Sequence, residues 1–441
     1  MKKVLIITYY WPPSGGAGVQ RWLKFVKYLR EFQWEPIVFT PSNPEVPSVD
    51  DSLMNEIPVS LQVIRNKIWE PYSFYKKVTG RKKDDKIQSA FLAEKKSKIN
   101  LLEDISVWIR GNLFIPDARK FWIKPSVKLL SKYLETRQVD VLITTGPPHS
   151  AHLIGMHLKK RFGIPWLADF RDPWTNIDYY HDLKLGRRAD KIHHRLEKQV
   201  LSFADAITVV SPGMEREFVS IVNRKIHVIP NGYDWEDVKN VNLPRTDKKK
   251  FSVAHIGSLT KTRNAENLWQ VLRELSIEYP EFAQKLEIRI VGKIDVSAIE
   301  SLRKYGMENY LTRIDYLPHQ QVIAEQQNAA VLLLLINNTP NAKLILTGKL
   351  FEYLASKRPI VCIGPQDGDA ATIIRETECG NVFGFDETNR LKAEMLRLFH
   401  DFLKDKKENP CKNVERYERR NLTAHMAEVL TGMQVNKQKN P

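Results

Sequence analysis

The chain has 441 residues, 42% of them hydrophobic, with 68 lysines and arginines against 52 aspartates and glutamates. This length exceeds one ordinary domain and predicts two domains of roughly 200 residues each. The formal net charge of +16 favours anionic partners such as nucleic acid, acidic membranes or phosphorylated small molecules, although a solvated lysine-rich surface explains it equally well. Since the longest apolar run, AAVLLLLI, is too short to cross a bilayer, we expect no transmembrane segment.

The cysteines and the N-terminus indicate where the protein resides. Cys362, Cys379 and Cys411 are odd in number and lack C-x-x-C spacing, which predicts neither a disulfide framework nor a zinc site. The N-terminal MKKVLIITYYW has too short an apolar run for a signal peptide, and we interpret it as a first strand. We therefore expect a cytoplasmic protein.

Short apolar segments alternate with helical patterns along both halves of the chain. The first half contains seven predicted strands, KVLIITYY, EPIVFT, LQVIRNKIW, VDVLITTG, IPWLADF, AITVV and KIHVIP. The second half contains six, FSVAHIGS, LEIRIVG, LTRIDYL, AVLLLLI, RPIVCIG and NVFGF. Such alternation predicts an α/β protein with parallel sheets covered on both faces. We expect two doubly wound domains, residues 1–232 and 251–410, joined by a polar linker at 233–250.

Residues 70–124 interrupt this alternation. Nine lysines or arginines and three acids occupy residues 76–98, and the stretch that follows places aromatic residues such as Trp108, Phe121 and Trp122 among basic ones. Basic side chains next to aromatic ones are typical of a surface that rests on an anionic membrane. The alternative is an insertion that buries its aromatics against the first domain.

Three glycines, Gly15, Gly16 and Gly18, stand between the first predicted strand and the first predicted helix. In parallel sheets this place lies at the carboxyl edge, where helix N-termini meet ligands, and glycine lets the backbone approach closely. Arg21 occupies the position of the third glycine of a dinucleotide fingerprint, and the lysine of a P-loop is missing. The loop is therefore predicted to contact a ligand other than NAD or ATP.

A second candidate site is LTGKLFEYLASKRPIVCIG at 346–364. Thr347 is a predicted helix cap, which places Lys349 in the first turn, where a diphosphate would meet amides, the helix dipole and an ammonium. Glu352 lies nearly one turn further on, and its carboxylate can accept two ribose hydroxyls. On spacing alone, an ordinary surface Lys–Glu pair is the simpler interpretation.

The segment K-L-F-E-Y-L-A, followed by P-I-V, resembles the donor-site helix of GT-B glycosyltransferases, specifically the large retaining family 4. Four further segments resemble parts of that family, namely PPSGGAGVQR, IPNGYD, HIGSLTKTRN and ERYERRNLTAHMAEVL. The resemblance implies the GT-B fold, in which two Rossmann-like domains face each other across a cleft. It also implies that residues 411–441 form a helix that crosses back to the first domain.

By this resemblance the donor is a nucleotide diphosphate sugar, bound mainly by the second domain. Lys349 and either Lys261 or Arg263 would neutralise the diphosphate, and Glu352 would hold the ribose. The glycine loop would close over the phosphate and the sugar from the first domain. The remaining implied donor contacts are Asn231, Gly257, Ser258, Lys343 and Leu350. Retaining transfer in this family needs no side-chain nucleophile, and we expect neither a cofactor nor a metal.

The first domain is expected to hold the acceptor, a glycan or a lipid-linked molecule. His149 follows the fourth predicted strand, and Asp169 and Arg171 lie at the end of the fifth, so these three are candidate catalytic residues. Arg21 and Asp172 are candidate acceptor contacts. The alternative is that the histidine is simply buried and that the aspartate and arginine form a structural ion pair.

Two departures from the family pattern leave the donor sugar open. Leu344 stands where many members have a second glutamate, so backbone amides, Asn341 or Lys343 would take over the sugar hydroxyls. Thr145-Gly146 stands where a histidine is often found. The Asp367-Gly-Asp369 sequence is predicted to cap a helix and not to bind a metal.

These observations predict a retaining glycosyltransferase that builds a cell-surface polysaccharide or a lipid-linked glycan at the inner membrane face. A nucleic-acid partner is not expected, because the positive charge is spread along the chain and no binding module stands out. Two alternatives remain open, a non-catalytic GT-B subunit and a GT-B nucleotide-sugar epimerase.

Overall fold

The computed structural model describes residues 1–46, 48–70, 100–239, 250–315, 317–406 and 411–439. The basic stretch at 76–98 and most of the predicted linker lie outside these residues. The chain divides into two compact units. Unit 1 comprises Met1–Pro230 and Arg419–Pro441, and unit 2 comprises Asn231–Glu418.

Unit 1 contains a seven-stranded sheet in the order β3-β2-β1-β4-β5-β6-β7, and all of its strand pairs are parallel. The strands are β1 (Lys2–Ile7), β2 (Trp34–Pro41), β3 (Gln62–Asn66), β4 (Val141–Gly146), β5 (Trp166–Phe170), β6 (Ala206–Val209) and β7 (His227–Val228). They coincide with the seven segments predicted from the first half of the sequence, which confirms that prediction.

Helices cover both faces of this sheet. The helices of the continuous part of unit 1 are α1 (Ala17–Tyr28), α2 (Asn100–Leu113), α3 (Lys120–Thr136), α4 (Ser150–Phe162), α5 (Arg187–Phe203) and α6 (Pro212–Val222). Because side chains alternate along a strand, Leu5 and Ile7 of β1 join the core that includes α3 to α6, whereas Val4 and Ile6 join the core on the opposite face with α1.

Unit 2 contains a six-stranded parallel sheet in the order β10-β9-β8-β11-β12-β13. Its strands are β8 (Phe251–Ile256), β9 (Leu286–Val291), β10 (Leu311–Ile314), β11 (Val331–Leu335), β12 (Ile360–Ile363) and β13 (Gly380–Phe383). Its helices are α7 (Trp235–Lys239), α8 (Glu266–Glu278), α9 (Pro280–Lys285), α10 (Val296–Lys304), α11 (His319–Asn328), α12 (Gly348–Ser356), α13 (Asp369–Thr377) and α14 (Asn389–Leu403). All six strands were predicted, and both sheets have the Rossmann strand order.

The last helix, α15 (Arg419–Lys439), belongs to unit 1. Its residues Leu422, Met426 and Leu430 are buried in one core with Trp22 and Phe25 of α1. The chain therefore begins and ends in the same unit. None of the helices in the described part of the chain combines the length and hydropathy that a bilayer span requires.

Two sequence-based expectations are wrong. Cys379 and Cys411 form a disulfide with their Cα atoms 4.6 Å apart, so the odd number of cysteines did not exclude a bridge; Cys362 stays free and buried in β12. The aspartates of Asp367-Gly-Asp369 do not cap α13, because its N-cap is Gly368 and no side chain caps it. The Asp367 carboxylate pairs instead with the Lys343 ammonium, 2.6 Å away.

Within the described part of the 70–124 segment, the aromatic residues divide between core and surface. Trp122 is buried and stacks on Phe39 of β2, with 5.7 Å between ring centroids. Trp108 and Phe121 are exposed. The aromatic residues of this segment are therefore buried against the domain in part and exposed in part.

Candidate functional site in unit 2

The strand order of each sheet reverses beside its first strand, between β8 and β11 in unit 2 and between β1 and β4 in unit 1. Parallel sheets of this kind bind ligands at the carboxyl ends of the strands that flank such a point. In unit 2 the residues that directly follow these strands are Gly257, after β8, and Ile336 and Asn337, after β11.

Gly257 makes room for the ammonium of Lys349. Gly257 has φ +119°, and a Cβ atom built on it would lie 2.0 Å from Lys349 Nζ. Gly292, which follows β9, has φ +126°, and its Cβ would lie 2.8 Å from the Gly257 carbonyl carbon and oxygen. Since side-chain-bearing residues avoid such φ values, both positions require glycine. The two glycines place a cation directly against the end of β8.

Lys349 belongs to the first turn of α12. Thr347 is the N-cap residue, as predicted, but it makes no side-chain cap, and its buried Oγ1 has no hydrogen-bond partner among the described residues. The first turn contains no acidic residue. Because the first amides of a helix lack intrahelical partners and carry the positive end of its dipole, this end of α12 is suited to an anion.

The structure also distinguishes between the two candidate cations that the sequence left open. Arg263 donates through Nε to Asn337 Oδ1 at 2.5 Å and through Nη1 to the Ser258 carbonyl at 3.2 Å. Lys261 is exposed in the same short turn. The geometry therefore favours Arg263 as the second cation beside Lys349.

Burial and the nearby Arg263 lower the pKa of Lys349 to about 7, although Glu352 acts in the opposite direction. An ammonium that has lost hydration and lies beside a second cation gives up its proton more readily. An anion bound at this place would restore the charge, because it favours the protonated form. Lys349 is thus set up to take part in an anion site at neutral pH.

Glu352 lies one turn further along α12 and is half-buried. Its Oε2 accepts a hydrogen bond from Gln326 Nε2 of α11 at 2.7 Å, and no other described residue donates to this carboxylate. The adjacent Tyr353 accepts a hydrogen bond from the Ile256 amide at 3.1 Å, which fixes α12 to the end of β8. The Glu352 carboxylate can therefore still accept hydrogen bonds from ribose hydroxyls, and the helix that carries it is held in place.

The remaining predicted donor residues of unit 2 differ in their surroundings. Ser258 and Asn231 are half-buried, whereas Lys343 is exposed and paired with Asp367. Leu350 is buried in the core, and its amide donates to the Thr347 carbonyl at 3.2 Å.

Asn337 and Gln326 were missed by sequence reasoning. The position of Asn337 just after a predicted strand was a usable signal, but nothing in the sequence marked Gln326.

Candidate residues in unit 1

The glycine loop of unit 1 lies between β1 and α1, as predicted. Gly16 has φ +93° and is the N-cap residue of α1, and the Gly15 amide donates to the Ser48 carbonyl at 2.9 Å. A Cβ at Gly18 would lie 2.6 Å from Arg171 Nη1. The structure therefore brings Gly18 and Arg171 together at the carboxyl edge of the sheet. The Arg171 guanidinium also lies over the Tyr10 ring, 5.5 Å from its centroid.

His149 is the residue before α4, and its imidazole is 7% exposed. The ring stacks on Trp174 with 4.5 Å between centroids, and its Nδ1 has no hydrogen-bond partner among the described residues. Burial, and then the neighbouring imidazole of His152, lower the pKa of His149 well below its usual value. His149 is consequently neutral at physiological pH and cannot act there as a positive charge.

Asp169 and Arg21 form a buried ion pair, 2.8 Å apart, with both side chains fully inaccessible. The Asp169 carboxylate also accepts from Trp22 Nε1 at 2.8 Å and from the hydroxyls of Thr145 and Thr208 at 2.9 and 2.8 Å. Burial acts to raise the pKa of Asp169, but Arg21 and these donors hold it below its usual range. The carboxylate has no surface left for a substrate, so the geometry favours the structural alternative. Asp172, beyond the strand end, is exposed.

Comparison with known proteins

Solved structures with the same fold cover nearly the whole chain. Sucrose-phosphate synthase from Thermosynechococcus elongatus is 15% identical, with a TM-score of 0.57 over 100% of this chain and 98% of that one. Anabaena HepE in complex with UDP and glucose is 13% identical, with a TM-score of 0.60 over 98% of this chain and 100% of that one. An α,α-trehalose-phosphate synthase from Burkholderia vietnamiensis is 10% identical, with a TM-score of 0.58 over 99% of both chains. These likenesses establish the predicted GT-B fold of two Rossmann-like domains.

Residues 104–232 match the glycosyl transferase 4-like domain. No curated protein matches the chain. A glycosyl transferase domain match together with the GT-B fold supports a glycosyltransferase, which confirms the predicted class of enzyme.

Proposed function

We propose that the protein transfers a sugar from a nucleotide diphosphate sugar to a glycan or lipid-linked acceptor, with retention of anomeric configuration. This proposal rests on the position of the Lys349 ammonium against Gly257, at the point between β8 and β11 where the strand order of unit 2 reverses. Arg263, the uncapped first turn of α12 and the Glu352 carboxylate supply the other groups that a ribonucleotide diphosphate needs. HepE, which shares the fold, has been solved with UDP-glucose, and so supports a donor of this class.

The proposed chemistry depends on stabilising charge. Glycosyl transfer passes through an oxocarbenium-like state while the diphosphate leaves with growing negative charge. Lys349, Arg263 and the first amides of α12 would stabilise that charge, and loss of one such donor costs about 3 kcal/mol in comparable sites. The departing phosphate oxygen would take the proton of the acceptor hydroxyl, so this route uses no side-chain nucleophile, cofactor or metal.

We assign the acceptor to unit 1, where Arg171 and His149 lie at the carboxyl edge of the sheet. The Arg171 guanidinium offers several N–H donors in a planar fork, which suits an acceptor that carries phosphate, carboxylate or many hydroxyls. The neutral His149 imidazole can donate or accept a hydrogen bond without adding charge.

The donor assignment is tested by calorimetric titration of UDP, GDP and ADP into the wild type, Glu352→Ala and Lys349→Met. We expect one base to bind best and both variants to weaken its binding at least about tenfold, as loss of hydrogen bonds to charged groups predicts. Lys304→Ala, which removes an exposed lysine of α10, serves as the control and should bind like the wild type. Absence of binding by all three nucleotides would contradict the donor site and favour a non-catalytic subunit.

We also propose that the enzyme works against an anionic membrane in cell-surface polysaccharide or lipid-linked glycan synthesis, at the inner membrane face. Trp69 and Trp108 are 57% and 48% exposed, and the Trp69 ring packs edge-on against Phe121 at 4.8 Å. The Lys120 ammonium lies 5.2 Å from the centroids of both Phe114 and Phe121. Aromatic rings beside ammonium groups are typical of interfacial binding.

The outer surface of unit 1 adds charge to this aromatic group. Lys124, Lys128 and Lys132 are exposed at four-residue intervals along α3, and this spacing puts them on one face of the helix. Across α3, α4 and α5 there are twelve lysines and arginines and three acidic residues. Each lysine near an anionic bilayer contributes about 1 kcal/mol of attraction.

Vesicle flotation tests this part of the proposal. We expect binding to phosphatidylglycerol vesicles that weakens with added salt, and little binding to phosphatidylcholine vesicles. The triple variant Lys124→Glu, Lys128→Glu, Lys132→Glu should float poorly. Lys304→Glu, Lys357→Glu, Lys404→Glu makes the same charge change on unit 2 and should float normally. Equal flotation of the two variants would refute docking through α3.

A further inference from the structure

The Glu352 carboxylate is held by one buried amide on the neighbouring helix. Gln326 lies near the end of α11, is only 1% exposed, and donates through Nε2 to Glu352 Oε2. A buried amide without a hydrogen bond is costly, so the two side chains hold each other in place. The contact joins α11 to α12 beside the proposed nucleotide site.

The residues on either side of Gln326 hold α11 in position. Glu325 pairs with Arg289 of β9, with 2.5 Å between its Oε2 and the Arg289 Nε. Gln327 donates to the Val238 carbonyl of α7 at 3.2 Å. Three consecutive side chains therefore contact three different elements of unit 2, which leaves the Gln326 amide little freedom to move away from Glu352.

The hydrogen bond leaves most of the carboxylate available. An ionised carboxylate offers about four lone-pair sites, and Gln326 uses one of them. The Oε1 atom receives no hydrogen bond from any described residue. A ligand with two adjacent hydroxyls can therefore be accepted without displacing Gln326, provided that the carboxylate keeps the orientation Gln326 gives it.

We propose that Gln326 is a positioning residue that orients Glu352 for the ribose of the nucleotide donor. This inference rests on the proposed function, since it needs a ribonucleotide at Glu352. A glutamate side chain loses substantial rotamer freedom when it is fixed by a ligand. Gln326 already restricts the Glu352 side chain before the ligand binds, so less rotamer freedom is lost on binding. The two hydroxyls therefore bind more tightly than they would to an unrestrained glutamate.

The test measures discrimination between ribose and deoxyribose. Gln326→Met keeps side-chain length and removes the amide, and Gln321→Met makes the same change at an exposed position of the same helix. UDP, GDP and ADP and their 2′-deoxy counterparts are titrated by calorimetry into both variants, the wild type, Glu352→Ala and the double variant Gln326→Met, Glu352→Ala. We expect Gln326→Met to weaken the best ribonucleotide about tenfold and its deoxy counterpart much less. In the Glu352→Ala background, Gln326→Met should have almost no effect.

The outcomes separate this inference from the function on which it rests. If Glu352→Ala weakens binding but Gln326→Met keeps the wild-type ratio of ribose to deoxyribose affinity, the positioning role is refuted and the donor site stands. If no nucleotide binds the wild type, both fail. Gln326→Asn, which keeps the amide but shortens its reach, replaces Gln326→Met if that variant does not fold, and the same loss of discrimination is expected from it.

Discussion

Two helices that follow strands at the switch points show how differently the two units use the same strand order. In unit 1 the N-terminus of α4 is capped by a residue that is distant in the sequence. Asp117 accepts hydrogen bonds from the Ser150 amide and hydroxyl, both at 2.8 Å. In unit 2 the N-terminus of α12 has no side-chain cap, and its first turn carries Lys349. A carboxylate already fills the anion position of α4, whereas that of α12 is left for a ligand.

The charged groups near the carboxyl edges of the two sheets differ in the same way. Arg21 and Asp169 of unit 1 neutralise each other inside the core. Lys349 of unit 2 forms no ion pair within the described part of the chain and lies close to a second cation. Removing one member of a buried ion pair leaves an uncompensated charge in the core and destabilises the fold, whereas cations placed together mark a place where an anion is expected. The comparison predicts loss of stability from variants of the first pair and loss of ligand binding from variants of the second.

The largest effect is expected from Arg21→Met, which leaves the Asp169 carboxylate buried without its cation. Such a change costs about 3–5 kcal/mol of unfolding free energy. Urea unfolding followed by tryptophan fluorescence measures it. Arg30→Met is the matched control, because its pair with Glu35 is partly exposed and should cost less than about 1 kcal/mol. An Arg21→Met variant that is stable but inactive would contradict the structural interpretation of the Arg21–Asp169 pair and favour a catalytic one.

Gly257→Ala should abolish most nucleotide binding in unit 2. The new methyl group would occupy the place of the Lys349 ammonium, and a backbone with φ +119° costs about 1–3 kcal/mol for other residues. We expect UDP, GDP or ADP, whichever binds the wild type best, to bind about 100-fold more weakly, consistent with loss of one charge-stabilising donor.

Gly432→Ala is the control for this change. Nothing lies within 4 Å of a Cβ at Gly432, and alanine favours a helix interior over glycine by about 1 kcal/mol. The control should bind nucleotide normally and melt at the same or a higher temperature. Normal binding by Gly257→Ala would show that the Lys349 position against Gly257 is not needed.

The sequence predicted the fold well because its signals are local. All thirteen strands were short apolar runs, and the predicted donor helix was marked by the resemblance of K-L-F-E-Y-L-A to the family's motif, not by the spacing of Lys349 and Glu352. The missed features depend on contacts between distant segments. The cap that Asp117 provides to α4, the amide that holds Glu352 and the bridge between Cys379 and Cys411 each join residues whose proximity appears only after folding.

Polar residues at strand ends show the same limit. Asp169 is the second-to-last residue of β5 and Arg171 directly follows the strand, and sequence reasoning treated the two alike. In the structure Asp169 is enclosed by four side chains that donate to it, while Arg171 lies over Tyr10 beside Gly18. Whether a strand-end side chain faces inward or toward a ligand depends on its neighbours on the adjacent strands.

The pH dependence of nucleotide binding tests the charge of Lys349. Its pKa in the folded protein is lowered to about 7, and an anion binds the protonated form. Affinity for the nucleotide that binds best should therefore fall as pH rises from 7 to 9, by up to about tenfold per unit once the lysine is neutral. Lys349→Arg should show a flat profile over this range because a guanidinium keeps its charge. A flat wild-type profile would contradict the role of Lys349 as the titrating cation.

The smallest effect separates the two cations of the loop after β8. Arg263→Met should weaken binding of the same nucleotide about tenfold, as expected for a charged hydrogen-bond donor. Lys261→Met removes an equally charged but exposed side chain of the same turn, and solvent screening should limit its effect to about twofold. Both variants lose one positive charge from one short segment, so a general electrostatic attraction would weaken binding equally in the two. Only a contact through Arg263, held in place by Asn337 and the Ser258 carbonyl, predicts that the two variants differ. If Lys261→Met proves the more damaging, the diphosphate contact must be reassigned to Lys261.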